Sequence, residues 1–166
     1  MARTPDNLKE AFAGESKAST TYLAFARKAE QEGHPEVARL FRAASAAEVV
    51  HARNHLEAME GVKSTEENLE TAISGENTEH VRMYPEFVEA AKKEQKPKAE
   101  RTFEWARQVE ITHESLYKWA LEALRSGKKN PKSYYVCQVC GHTAENEPPE
   151  RCPVCGAPGK SFSQVD

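Results

Sequence analysis

A chain of 166 residues with a net charge of −3 has room for one ordinary domain and a small one, and its mixed Lys/Glu surface argues against a nucleic-acid partner. No stretch approaches the ~18 consecutive apolar residues of a membrane helix, and the opening Met1-Ala2-Arg3-Thr4-Pro5-Asp6 lacks the apolar run of a secretory signal. A soluble, cytoplasmic protein is expected, its 30% charged residues lying on the wet faces of amphipathic helices.

The first helix is predicted to begin with Thr4 as N-cap and Pro5 in the first turn, and to run to about Glu32, where Gly33 stops it. Pro35 opens a second helix that carries Leu40, Phe41, Glu48 and His51 and ends before Gly61. Ser64-Thr65-Glu66-Glu67 reads as a capping box for a third helix bearing Glu76 and Glu79. Pro85 falls inside that helix and is expected to kink it about a turn beyond those glutamates. Pro97 opens a fourth helix, which bears Glu110 and His113 and ends before Gly127. Residues 1–126 thus read as one helical domain, 127–132 as a polar linker and 133–166 as a separate module. The 34 residues of that module are too few for an apolar core of their own, since domains below about 40 residues usually need a metal or disulfides.

The helical part is an internal duplication. Asn7-Leu8, Ala11 and Gly14-Glu15 recur as Asn68-Leu69, Ala72 and Gly75-Glu76 at an offset of 61. From Tyr22 onward the offset is 62: Tyr22 pairs with Tyr84, Phe25 with Phe87, Phe41 with Phe103, and Glu48-Val49-Val50-His51 with Glu110-Ile111-Thr112-His113. One extra residue inside a helix is most simply absorbed as a π-type turn, so such a turn is predicted between Glu76 and Tyr84. That stretch also contains Glu79, which has no acidic equivalent in the first half.

The paired Glu-x-x-His tetrads carry the chemistry. Positions i and i+3 share a helical face, so each tetrad aims a carboxylate and an imidazole at one point. With one further glutamate from each upstream helix, Glu15 and Glu76, this is the ligand set of a carboxylate-bridged di-iron site in a four-helix bundle. Burying Glu15, Glu48, Glu76, Glu79, Glu110, His51 and His113 without cations would cost many kcal/mol, and two divalent metals offset that charge. Hard oxygens with one or two imidazoles suit Fe(II) or Mn(II). Glu15, Glu48, Glu76 and Glu110 balance two M(II) ions, and Glu79 is an additional anionic ligand for the oxidised pair. Tyr22 and Tyr84 read either as hydrogen-bond donors that orient ligating carboxylates or as core aromatics. His34, His55, His80 and His142 receive no role.

All four cysteines lie in two matched knuckles, Cys137-Gln138-Val139-Cys140-Gly141 and Cys152-Pro153-Val154-Cys155-Gly156. In a cytosolic chain that clustering speaks for a metal, and each glycine permits the tight turn after a C-x-x-C pair. Four thiolates give a tetrahedral site for iron or zinc; attachment to a redox-capable bundle tilts the choice toward iron. Tyr134, Tyr135 and Phe162 are expected to pack around it.

Over essentially its whole length the chain resembles the rubrerythrin family. The resemblance rests on Ala13-Gly14-Glu15-Ser16, Glu48-Val49-Val50-His51, Gly75-Glu76-Asn77-Thr78-Glu79-His80, Met83-Tyr84-Pro85, Glu110-Ile111-Thr112-His113 and the ending Cys152-Pro153-Val154-Cys155-Gly156-Ala157-Pro158; Gly159 before Lys160 departs from the family's pattern. It implies a mainly α fold: a ferritin-like four-helix bundle with a long crossover between its second and third helices, followed by a small rubredoxin-like β/loop domain. It implies an oxidoreductase of the cytoplasm, a non-haem peroxidase that reduces hydrogen peroxide to water. Electrons would reach it from NAD(P)H through a partner reductase or rubredoxin. Glu48 and Glu110 would bridge two irons, Glu15 would be terminal on one, and Glu76 and His113 would serve the other. The first iron would exchange His51 in the reduced state for Glu79 in the oxidised one. A head-to-tail homodimer would bring one subunit's rubredoxin-like iron near the partner's di-iron site. Two alternatives stand beside this reading: a ferroxidase or iron-handling ferritin-like protein, and a non-catalytic peroxide or iron sensor with a structural zinc ribbon.

Overall fold

The computed structural model describes residues 3–129 and 132–165. It is mainly helical, with a small C-terminal sheet, and it divides into two compact units, Met1–Lys63 and Ser64–Asp166.

The first unit is a helical hairpin of α1 (Thr4–Gln31) and α2 (Pro35–Ala58). The N-cap of α1 is Arg3, not Thr4: the Arg3 carbonyl accepts the Asp6 and Asn7 amides at 2.9 and 3.0 Å, so the extended capping residue sits one position earlier than its hydroxyl-bearing neighbour. Gly33 stops α1 as expected, with φ +82° and the His34 amide reaching back to the Ala29 carbonyl at 2.8 Å. The two helices approach closely because alanines line the seam. Ala26, Ala29 and Ala38 are buried against Phe41, and Ser45 Oγ donates across the interface to the Ser19 carbonyl at 2.8 Å. Within this unit Phe25, Leu40 and Val49 remain exposed, since a hairpin of two helices has only one inner face.

In the second unit α3 (Thr65–Thr78) and α4 (Tyr84–Lys93) both pack on α5 (Pro97–Arg125). The Ser64 capping box is present in both directions, Ser64 Oγ accepting the Glu67 amide and the Glu67 carboxylate accepting the Ser64 amide. Residues Glu79–Met83 form a π-helical segment in which the Tyr84 amide reaches the Glu79 carbonyl, five residues back. The residue that changes the repeat offset from 61 to 62 is therefore accommodated here. Pro85 stands at the second position of α4, directly after this segment, where its missing amide costs no helical hydrogen bond. Beyond the segment the repeat is back in phase. The Tyr84, Phe87 and Phe103 rings have centroid separations of 6.2, 6.4 and 5.5 Å, and the Tyr22, Phe25 and Phe41 rings separations of 6.4, 6.1 and 5.5 Å.

After α5 the chain forms a three-stranded antiparallel sheet in the order β2 (Thr143–Glu145), β1 (Tyr134–Cys137), β3 (Phe162–Val165). The register pairs Val136 with Thr143 and Cys137 with Phe162. The module packs on α5 within the second unit: the Lys132 ammonium lies 3.6 Å from the Trp119 ring centroid and 2.7 Å from Glu145 Oε1. Gly159 has a steric reason, since a Cβ there would lie 2.5 Å from the Pro149 carbonyl oxygen.

Candidate metal centres

Each helical unit gathers one carboxylate–imidazole cluster. In the first, donor atoms of Glu15, Glu48 and His51 all lie within 4.8 Å of one another; in the second, those of Glu76, Glu110 and His113 do the same. The tetrads have identical local geometry: His51 Nδ1 is 2.8 Å from Glu48 Oε2 and His113 Nδ1 is 2.8 Å from Glu110 Oε2. This is the i, i+3 helical spacing realised twice, with Nδ1 as the atom turned toward the carboxylates. The surroundings differ. The His51 side chain is 54% exposed and the His113 side chain 27%, because the four-cysteine module packs beside His113 and its Thr143 Oγ1 lies 3.0 Å from His113 Nε2.

Among the described residues Glu79 stands outside these two clusters, at the first position of the π segment, yet it shares their field. Burial, then the Glu110 charge, raises its pKa. Glu76 is pushed up to about 7 by burial, by its hydrogen bond with Glu110 and by the Glu110 charge. His113 is raised by its hydrogen bond to Glu110, against burial. Burial and neighbouring negative charge both disfavour the ionised form, which is why Glu76 and Glu79 shift upward. Burial and then the carboxylate charges raise the hydroxyl pKa values of Tyr84 and Tyr117, so both remain neutral O–H donors. Tyr22 makes ring contacts with Phe25 and Phe41, in keeping with the core-aromatic alternative.

Metal uptake must therefore displace protons. The metal-free protein is expected to release more protons per divalent ion bound at pH 6 than at pH 8, because Glu76, pushed up to about 7, is largely protonated at the lower pH, and the upward shift of His113 acts in the same direction. Calorimetry in buffers of different ionisation enthalpy measures this; equal release at both pH values would contradict it.

Two groups near the site were not singled out from the sequence. Tyr117 lies one turn beyond His113, and that i+4 spacing was a readable signal. Glu114 is buried and accepts from Asn77 Nδ2 at 3.0 Å, His80 Nε2 at 2.5 Å and Lys118 Nζ at 2.7 Å; Lys118 and then His80 hold its pKa at about 2. It ties the start of the π segment to α5. Nothing in its local sequence distinguishes it from a surface acid.

The four cysteines converge as the knuckles require. Cys137 Sγ is 3.7 Å from Cys155 Sγ, and Cys140 Sγ is 3.5 Å from Cys152 Sγ. A tetrahedral ion with metal–sulfur bonds of about 2.3 Å has sulfur–sulfur edges of about 3.8 Å, whereas a disulfide is about 2.05 Å long. The donor set fits one four-thiolate metal ion. The knuckles match in detail: Gly141 and Gly156 take φ +86° and +75°, and each amide returns to the first cysteine carbonyl at 2.9 Å. Of the expected surrounding aromatics, Phe162 pairs with Cys137 and stacks edge-on to His142, while Tyr134 faces α5 across a cavity.

The family model described as rubrerythrin matches residues 6–121, and the model of the rubrerythrin rubredoxin-like domain matches residues 135–163. Rubrerythrin-2 of Clostridium acetobutylicum is 35% identical over 97% of this chain and 96% of its own length. Nigerythrin of Nitratidesulfovibrio vulgaris is 32% identical over 98% of this chain and 87% of its own. A solved structure of nigerythrin in a mixed-valence state superposes with a TM-score of 0.58 at 32% identity, covering 99% of this chain and 88% of that one.

Proposed function

Because this chain belongs to the rubrerythrin family, we propose that it is a non-haem peroxidase that reduces hydrogen peroxide to water. It is an oxidoreductase whose cofactors are a di-iron centre and a rubredoxin-like four-cysteine iron site. One observation carries the peroxidase reading: a four-thiolate module packs, within one compact unit, on α5, the helix that bears Glu110 and His113. Iron storage needs no dedicated electron-entry domain, and a structural zinc ribbon needs no position beside a carboxylate–histidine cluster.

When bound, the iron ions supply the redox chemistry. The chain's own residues supply the rest. Glu15, Glu48 and His51 from the first half and Glu76, Glu110 and His113 from the second would hold the two ions, Glu48 and Glu110 being the carboxylates that would be shared between them. Glu79 lies close enough to feel Glu110 and His113 while remaining outside the cluster, which suits a ligand recruited in one oxidation state only. The half-exposed His51 ring, with Glu48 as its bonded neighbour, suits the ligand given up in exchange. Tyr84 and Tyr117 keep their hydroxyl protons and can donate to anionic oxygen at the site.

In function the chain divides into the helical domain 1–126, the linker 127–132 and the electron-entry domain 133–166. Electrons come from NAD(P)H through a reductase or a rubredoxin, and the working form is a cytoplasmic homodimer. The exposed Phe25, Leu40 and Val49 supply apolar surface for such an assembly, and among the described residues no helix is long and apolar enough to cross a membrane.

The test is rapid mixing of the fully reduced protein with peroxide and, separately, with dioxygen. Oxidation by peroxide at least tenfold faster than by dioxygen is expected. The reverse preference would favour the ferroxidase reading, and a colourless four-cysteine site would favour the zinc ribbon.

A further inference from the structure

His113 faces two ways. Its Nδ1 is turned to Glu110 at 2.8 Å and Glu76 at 3.8 Å, so Nδ1 is the atom available to a metal. Its Nε2 points out of the cluster and meets Thr143 Oγ1 at 3.0 Å. A ligating imidazole keeps its single proton on the far nitrogen, so Nε2–H donates and the threonine oxygen accepts. The bond lies in the wall of a cavity of about 300 Å³, whose other walls include Leu69, Leu116 and Ala120. Tyr117 and Tyr134 line it as well, and the hydroxyl that Nε2 meets is that of Thr143.

Thr143 is not an arbitrary hydroxyl. It opens β2 opposite Val136, the residue before Cys137, and it follows His142 directly. The His142 carbonyl accepts the Cys137 amide at 2.9 Å, and the His142 amide donates to Cys140 sulfur. The backbone of one residue, His142, therefore touches two of the four cysteines through its carbonyl and its amide, and the next side chain touches His113. The module is held on α5 independently through Lys132 against Trp119, so the Thr143 hydroxyl is free to serve orientation rather than attachment.

We propose that Thr143 is a positioning residue for His113: its hydroxyl fixes the imidazole with Nδ1 deprotonated and facing the carboxylates, and couples that ligand through His142 to the four-cysteine site of the same chain. The inference rests on the reading of His113 as a metal ligand and of the module as the electron entry.

Thr143→Val removes the hydroxyl at constant volume, and Thr143→Ser keeps it. In the full chain loaded with zinc, proton–nitrogen NMR of ¹⁵N-histidine reads the His113 ring directly. The wild type is expected to show a slowly exchanging Nε2–H; T143V loses it and T143S retains it. In the iron-loaded chain, the four-cysteine site is followed by its thiolate absorption after the reduced protein meets peroxide. Its reoxidation is expected to slow ~10-fold in T143V, the lower end of what loss of a ligand's outer hydrogen bond costs, and to recover in T143S. Wild-type exchange and wild-type reoxidation in T143V would overturn the proposal. Should T143V lose its thiolate absorption, T143A, which adds no methyl against the ring, replaces it. A wild type that shows no reoxidation at all defeats the electron-entry reading, and the NMR comparison then decides the role of Thr143 alone.

Discussion

Cys152→Ser is expected to abolish NADH-coupled peroxide turnover and to bleach the four-thiolate absorption, while single-turnover oxidation of a chemically reduced protein persists. The reason lies in what the module is made of. Its fully buried apolar residues, among those described, are Cys137 and Cys152 themselves, so the ligands are also its core. Without a metal the thiols share their protons unequally: burial drives Cys140 and Cys155 up, while backbone amides of Val139 and Cys140 outweigh burial at Cys137 and draw it down. A metal ionises all four together. For structural four-ligand zinc sites that binding amounts to ~10 kcal/mol or more of apparent folding free energy, and a serine in place of one thiolate forfeits much of it. The helical ligands are untouched, so the only change expected there is weaker metal affinity from the lost Thr143 contact. Measurement of coupled turnover, visible absorption and single-turnover oxidation on one preparation checks the expectation. Unchanged coupled turnover would remove the electron-entry role from the module.

Glu79→Ala should leave two Fe(II) bound by the other six ligands and raise the di-iron reduction potential. Glu79 is not needed to complete either cluster, yet its charge acts on Glu110 and His113. A unit charge about 4 Å from a metal is worth ~4 kcal/mol at an effective dielectric of ~20, and partial exposure of this site reduces that to ~1–2 kcal/mol. For a one-electron step this is an upward shift of ~50–100 mV, since the oxidised pair loses an anionic partner that the reduced pair does not require. Peroxide turnover should fall with it. The π segment should survive, because the Tyr84 amide bonds to the Glu79 backbone and not to its side chain. A second readout needs no metal: with a carboxylate charge removed, Tyr84 in the metal-free variant should titrate at lower pH than in the wild type. Equal potentials, equal peroxidase rates and an unmoved Tyr84 would make Glu79 a bystander.

Local rules written into the chain account for much of what the structure contains. The Glu-x-x-His spacing brings Glu48 to His51 and Glu110 to His113, because three residues advance a helix by nearly one turn. The change of repeat offset marked the π segment, because a helix can admit an extra residue only by widening one turn. The C-x-x-C-Gly knuckles placed four sulfurs around one point, because short range and a left-handed glycine leave those turns little choice.

What only the tertiary structure decided depends on contacts between segments far apart in sequence. Thr143 and His113 are 30 residues apart, and no periodicity relates them; their meeting follows from how the sheet lies on α5. Glu114 looks like any exposed helix acid until α3 and the π segment bury it under Asn77 and His80. The unequal exposure of His51 and His113 is likewise invisible in two tetrads of the same pattern, since it comes from the module that covers one of them. The chain by itself determined the ligand types and their helical phase, because backbone geometry sets these over a few residues. Folding decided which ligand is braced and which is left free, because bracing is supplied by side chains that only tertiary packing brings within hydrogen-bond reach.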